Sequence, residues 1–285
     1  MLRYNLTAND SLHAEQVRQA PCVYLDHWAL RLFSTTPELG ARLRSAINLH
    51  GGTLAMSVLS WAEFTGLTDA SQVAAAAEFV ESLLPRLFFL RFTPFEVLER
   101  EKDFEAGRTR QTPEGDEDVL RLVTSFRAGL SGWTVKSLFT EPSERRDEVR
   151  PVIHEMVTAG IERVRNLRTS VDTIKEVQHA KRHRLDGMWE VRRATQPLLL
   201  EMVTELEANR SGDPKRSDIV DLFHVVVPCS YCDFVLIDTR WRLAVERAKR
   251  RMLEARIPAR VASVFSKPNG GVEQFLLALE GFSRA

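Results

Sequence analysis

Five carboxylates stand where short apolar runs end or helical patterns begin: Asp26 in VYLDHW, Glu63 in SWAEF, Asp218 and Asp221 in SDIVDLF, and Asp238 in VLIDTRW. If the apolar runs are strands of one parallel sheet, their carboxyl ends share an edge, and acids far apart in the chain converge there. Gathered carboxylates repel and raise each other's pKa until a cation neutralises them. Hard oxygen ligands suit Mg²⁺ or Mn²⁺, so one of these is the expected cofactor. Such an ion polarises a phosphoryl oxygen and lowers the pKa of a bound water, and hydrolysis of a phosphate ester is the chemistry the set suits. All five positions are expected to bind metal and act in catalysis. Helix capping alone would explain Asp218 and Asp221, but neither Asp26 nor Asp238. Asp233 reads as a turn residue or as a group that supports the acids from behind.

Directly after the last acid comes RWRLAVERAKRRMLEAR, rich in arginine and lysine. Its start adjoins the acidic edge, so Arg240 and Arg242 are expected phosphate contacts, against the alternative of a basic solvated face. Cys229 and Cys232 have CxxC spacing, and Cys22 lies on a neighbouring run. Cys22 precedes Asp26 by four residues, roughly 13 Å along a strand, so the thiols belong to the opposite end of the sheet and read as core fillers. His179 and His183 share a helix face, but surrounding Lys175, Lys181, Arg182 and Arg184 oppose a cation there. A solvated or phosphate-facing helix is the better reading.

The elements that must position the acids are legible as short apolar runs at Cys22–Leu25, Thr53–Ser57, Leu87–Phe92, Phe234–Ile237 and Arg260–Phe265, separated by helical patterns. The alternation predicts an α/β fold, a parallel sheet covered by helices on both faces. After the third run, Thr93, Pro94 and Glu96 predict a capping box opening a helix that continues to about Ala106. From 107 to 210 the patterns are long, charged and helical, and are read as an all-helical insertion; a turn-rich linker, 211–217, returns the chain to the α/β core. The 39 basic and 39 acidic side chains cancel, so any nucleic-acid contact must come from a local patch. The amino-terminal stretch lacks a secretory pattern, and every apolar run falls short of the roughly 20 residues that span a bilayer. With three cysteines, too few for a disulfide framework, this points to a cytoplasmic chain with no membrane partner.

At Asp26, Glu63, Asp218 or Asp221, and Asp238, the chain resembles the PIN-domain family, over about residues 20–106 and 211–267. The resemblance implies a three-layer α/β/α sandwich with strand order 3-2-1-4-5, a discontinuous domain of 20–106 and 211–285, and the 107–210 insertion beyond the minimal family. It also implies a metal-dependent nuclease, most often an endoribonuclease and less often one acting on DNA, leaving a 5′-phosphate and a 3′-hydroxyl. RNA is the partner favoured by resemblance, with an inhibitor or partner protein as a further one. His27 and Trp28 stand where many members carry Thr or Ser and then Asn, whereas Ser57 matches a small hydroxyl residue often found there. Two rivals use the same edge: a PIN-like scaffold that binds nucleic acid or protein without cutting, and a different metal-dependent phosphoryl-transfer enzyme.

Overall fold

The computed structural model describes residues 1–6, 12–65, 69–121, 146–169, 194–208, 215–257 and 259–283. Strands β1 (Leu2–Leu6) and β2 (Leu12–Gln16) pair antiparallel with each other. Strands β3 (Cys22–Leu25), β4 (Thr53–Met56), β5 (Leu87–Phe89), β6 (Phe234–Leu236) and β7 (Ser263–Phe265) form one parallel sheet in the order β5-β4-β3-β6-β7. Counting these five alone, the order is third, second, first, fourth, fifth. Strands β3 to β6 are buried at every position, which is why they read as unbroken apolar runs rather than alternating ones.

The helices are α1 (His27–Thr35), α2 (Pro37–His50), α3 (Val58–Thr65), α4 (Ala70–Glu81), α5 (Pro94–Glu105), α6 (Arg146–Thr169), α7 (Thr195–Ala208), α8 (Arg216–Tyr231), α9 (Thr239–Glu254) and α10 (Gly271–Glu280). Alternate strand residues face opposite sides, and the core divides accordingly. Tyr24, Ala55, Phe88 and Val235 meet α5, α7, α8 and α9 on one face. Val23, Leu25, Leu54, Met56 and Leu236 meet α1, α2, α4 and α10 on the other. Helices on both faces of a parallel sheet are compatible with a three-layer α/β/α sandwich. Among the described residues, no helix is long and apolar enough to cross a membrane.

Several expectations change in detail. The third and fifth runs pair only over Leu87–Phe89 and Ser263–Phe265, shorter than expected. Leu90 N–H still donates to the carbonyl of Met56, the last residue of β4, but Leu90 also makes an isolated antiparallel bridge to Gly115, and beyond the end of β4 Arg91 N–H donates to the Glu114 carbonyl. Thr93 is the N-cap of α5, with Pro94 next, but no capping box forms: its hydroxyl donates to the Glu96 carboxylate and accepts nothing from the helix backbone. The β1–β2 pair was not signalled by periodicity. Its last residue, Gln16, uses its side-chain amide like a short strand, accepting from Phe89 N–H and donating to Phe89 C=O, and so blunts the exposed edge of β5.

Within 107–210, the described residues hold helices and turns and the one bridge at Gly115. Leu198, Met202 and Val203 of α7, with Val157 and Val164 of α6, belong to the same core as α8. The His179 and His183 face and the greater part of the 211–217 linker lie outside the described residues. Helix α6 approaches α8 closely at Gly160, where an added Cβ would stand 2.5 Å from Phe223 Cζ and 3.1 Å from Ile219 Cγ2. Both neighbours are fully buried and have nowhere to move. Gly160→Val is therefore expected to cost about 1–3 kcal/mol by overpacking, read as a lower urea midpoint with an unchanged m-value. A midpoint at or above that of the wild type would refute this packing of α6 on α8.

Candidate metal centre

The register of the sheet brings two of the five acids to one edge. Leu25 pairs with Leu236, and Asp26 N–H extends the ladder by donating to the Leu236 carbonyl, so Asp26 and Asp238 leave adjacent strands at almost the same level. Asp26 caps α1, its carboxylate accepting from His27 N–H at 2.5 Å. Asp238 occupies the N-cap position of α9, but its side chain makes no cap bond and lines a cleft beyond. Glu63 sits on α3, which begins one residue after β4 ends. Helix α8 runs back along the sheet into β6, so its first turns lie at the same carboxyl edge and carry Asp218, Asp221 and His224 on successive turns.

Asp26, Glu63 and His224 each present a ligand atom within 4.8 Å of the others. Glu63 Oε2 stands 3.0 Å from His224 Nε2, and His27 Nδ1 lies 4.0 Å from both Glu63 Oε2 and Asp26 Oδ1. His27 thus faces both carboxylates. His224 is 3% exposed, and its Nδ1 meets the Tyr24 hydroxyl, which lies 3.4 Å from Ser60 Oγ; Ser60 in turn lies 3.3 Å from Ser57 Oγ. The small hydroxyl residue marked by the sequence, Ser57, is the far end of this chain behind the imidazole.

The electrostatics of the cluster are divided. Burial pushes the Asp26 carboxyl up to about 6, with attraction from His224 pulling it down and repulsion from Glu63 and Asp238 adding to the rise. Burial acts the same way on Glu63, but there adjacent His224 and His27 outweigh it and hold the carboxyl below its ordinary value. Burial also raises Asp221, repulsion from Asp238 and Glu63 adding to it; His224 and the Trp241 indole pull the other way, the indole without a hydrogen bond of normal geometry. His224 is raised well above the ordinary histidine value, because Tyr24, Glu63 and Asp26 together overcome its desolvation.

Asp221 and Asp238 therefore act on the Asp26–Glu63–His224 group through charge. Asp218 is engaged elsewhere. It is the third residue of α8, whose N-cap is Lys215; one carboxylate oxygen accepts from Lys215 N–H and the other from Arg240 at 3.1 Å. The expected phosphate contact Arg240 is thus tied to Asp218 and stacks over Trp241, with 43% of its side chain still exposed. Arg242 begins the next stretch of α9, its N–H donating to the Asp238 carbonyl. Sequence reasoning passed over His224, although its i, i+3 spacing from Asp221 puts the two on one helix face. The signal was masked by the apolar run FHVVV, in which a lone histidine reads as core.

The cysteines lie at the other end of the sheet. Cys22 and Cys232 sulfurs are 3.6 Å apart, and Cys229 is buried; all three are free. Asp233 serves the turn there, accepting from Cys22 N–H at 2.7 Å and pairing with Arg260.

The cleft beside Asp238 has a volume of about 460 Å³ and is lined in part by Trp28, Arg31, Gln72 and Lys267. Comparison with family models, curated proteins and solved structures finds no match for the chain.

A pH dependence follows from Asp26. Its native pKa of about 6 lies above the ordinary 3.8, so ionising it in the folded protein is unfavourable. Stability from this group is present in full below about pH 4 and is lost as pH rises through 6. In EDTA, Asp26→Asn is expected to stabilise the fold at pH 7.5 by about 1–3 kcal/mol, and little at pH 4. Denaturant titrations at the two values test this; an equal effect at both would show that Asp26 is not held against its own charge.

Proposed function

We propose that this chain is a metal-dependent nuclease of the PIN-domain kind, acting on phosphodiester bonds and most suitably on RNA. The observation that carries the reading is the convergence of Asp26 and Glu63, with Asp221 and Asp238 in electrostatic range, at the carboxyl edge of a parallel sheet ordered third, second, first, fourth, fifth. The donor set fits a divalent ion: Glu63 Oε2 and His224 Nε2 are shielded from solvent and face each other 3.0 Å apart as an ion pair within reach of Asp26, which is held short of easy ionisation until a cation arrives. Mg²⁺ or Mn²⁺ held there would supply Lewis-acid polarisation of the phosphate and a more acidic bound water.

The chain's own residues supply the rest. Asp26 and Glu63 fix the ion's place from a strand end and a helix, so both ligands ride on rigid elements. Asp238 opens onto the cleft, where Arg31 and Lys267 offer positive charge to phosphates and the Trp28 ring offers a face on which a base can stack. Arg240, one side of its guanidinium on Asp218, is a positioned rather than a roaming cation; Arg242 remains a proposed phosphate contact.

One observation favours a second reading. His224 already supplies a counter-charge to Glu63 inside the cluster, so a scaffold that binds nucleic acid without cutting it would be electrostatically tolerable.

Incubation with labelled RNA and DNA oligonucleotides, with and without Mn²⁺, separates the readings. Metal-dependent cleavage is expected, falling about a hundredfold or more in Asp26→Asn and Asp238→Asn, which corresponds to about 2.7 kcal/mol of transition-state stabilisation. Binding without cleavage supports the scaffold, and hydrolysis of a small phosphate ester alone supports a different phosphoryl-transfer enzyme. For the cleft, Lys267→Ala is expected to weaken RNA binding at low salt and reduce the slope of log K against log salt by about 1. An unchanged slope would remove Lys267 from the interface.

A further inference from the structure

Among the groups at the acidic edge, His224 is the one whose surroundings are not explained by an all-carboxylate site. It comes from the middle of an apolar stretch of α8, is almost wholly buried, and points a ring nitrogen at Glu63. The two facing atoms, Nε2 and Oε2, lie 3.0 Å apart without a directed hydrogen bond between them. In the metal-free protein the two face each other as an ion pair, and a cation that displaces the Nε2 proton would be held where they meet. Ligands about 2.1 Å from a shared octahedral ion stand roughly 3 Å apart along a cis edge, which is the spacing seen here.

The opposite side of the ring is built in the way a metal-bound imidazole requires. Such a histidine donates its other N–H to a fixed partner, which sets the tautomer and the ring plane. Nδ1 meets the Tyr24 hydroxyl, and hydroxyls of Ser60 and Ser57 continue the run. With Nδ1–H donated to Tyr24 and the Tyr24 O–H donated to Ser60, loss of the Nε2 proton to an arriving cation would leave the Nε2 lone pair facing the carboxylates. Tyr24 is held by strand β3 and Ser57 by the turn after β4, so the support is as rigid as the sheet.

We propose that His224 Nε2 is a third ligand beside Asp26 and Glu63, and that the site takes a first-row divalent transition ion in preference to Mg²⁺. Imidazole suits Zn²⁺, Cu²⁺, Fe²⁺ and Ni²⁺ and binds even Mn²⁺, lowest of the first-row series, better than Mg²⁺, whereas carboxylates and water suit Mg²⁺ and Mn²⁺ alike. Any proton on Nε2 passes to solvent as the ion binds. The inference rests on the reading of this edge as a metal site and goes beyond it in the ligand and in the class of ion.

Mn²⁺ is the probe, followed by calorimetry and by pulsed electron paramagnetic resonance, which detects a directly bound ¹⁴N. The wild type is expected to bind Mn²⁺ at least about tenfold more tightly than Mg²⁺ and to show imidazole nitrogen coupling. His224→Gln loses the coupling and about tenfold or more in Mn²⁺ affinity, with Mg²⁺ affinity little changed; His27→Gln keeps the coupling. Bound Mn²⁺ that depends on Asp26 but shows no nitrogen coupling overturns this proposal and leaves the metal-site reading standing. Coupling lost in His27→Gln and kept in His224→Gln overturns it too. Absence of any Mn²⁺ binding that Asp26→Asn removes overturns both. If His224→Gln does not fold, the wild-type spectrum, with the His27→Gln control, decides.

Discussion

Like charges crowded at a partly buried sheet edge are the constraint on which this structure depends. Asp26, Glu63 and Asp221 cannot all ionise there at little cost beside the charge of exposed Asp238, and the protein divides them rather than treating them alike. Glu63 has His224 against it and stays readily ionised, while Asp26 and Asp221 carry the raised pKa that burial and mutual repulsion impose. Environments that push neighbouring groups in opposite directions are a mark of sites that handle protons or ions.

The cost of that edge is borne by the packing behind it. His224 is buried because α8 is apolar along nearly its whole length and is enclosed by the sheet, α5, α6 and α7. A histidine placed there cannot find water, so its two nitrogens must be satisfied by Tyr24 on one side and the carboxylates on the other. The start of α8 is pinned as well, by Asp218 holding both the Lys215 N–H and Arg240. Asp218 thereby joins the first turns of α8 and α9, keeping Asp221 and Asp238 in fixed relation without itself entering the cluster. The interval between α5 and α8 contributes to this support, since α6 and α7 complete the core against which α8 rests.

The opposite end of the sheet shows the same economy without the chemistry. Cys22, Cys232 and Asp233 occupy the amino ends of β3 and β6, where Asp233 closes a turn and the thiols fill core space. Strand direction alone separates the two ends, because every strand of a parallel sheet presents its carboxyl end to the same side.

Much of this was legible in the chain. Runs such as CVYL and FVLI are apolar at consecutive positions because a strand buried on both faces must be, and the acids that follow them are placed by strand direction, not by long-range contacts. That reasoning located Asp26, Glu63, Asp221 and Asp238 and the α/β class. The β1–β2 pair and the shortened β5 were not legible, since Gln16 and the 113–116 segment act through hydrogen bonds between residues distant in sequence, which leave no periodic trace. Nor was the division of labour within SDIVDLFH. From spacing alone Asp218, Asp221 and His224 are all candidates for one helix face, and composition cannot say which carboxylate turns back to cap its own helix, which meets Arg240, and which histidine is core. Local physics, in the form of hydrophobic runs and strand polarity, determined the edge at which the acids gather; only tertiary packing decided that His224 stands among them and Asp218 does not, because that choice depends on what Tyr24, Glu63 and Arg240 bring from other parts of the chain.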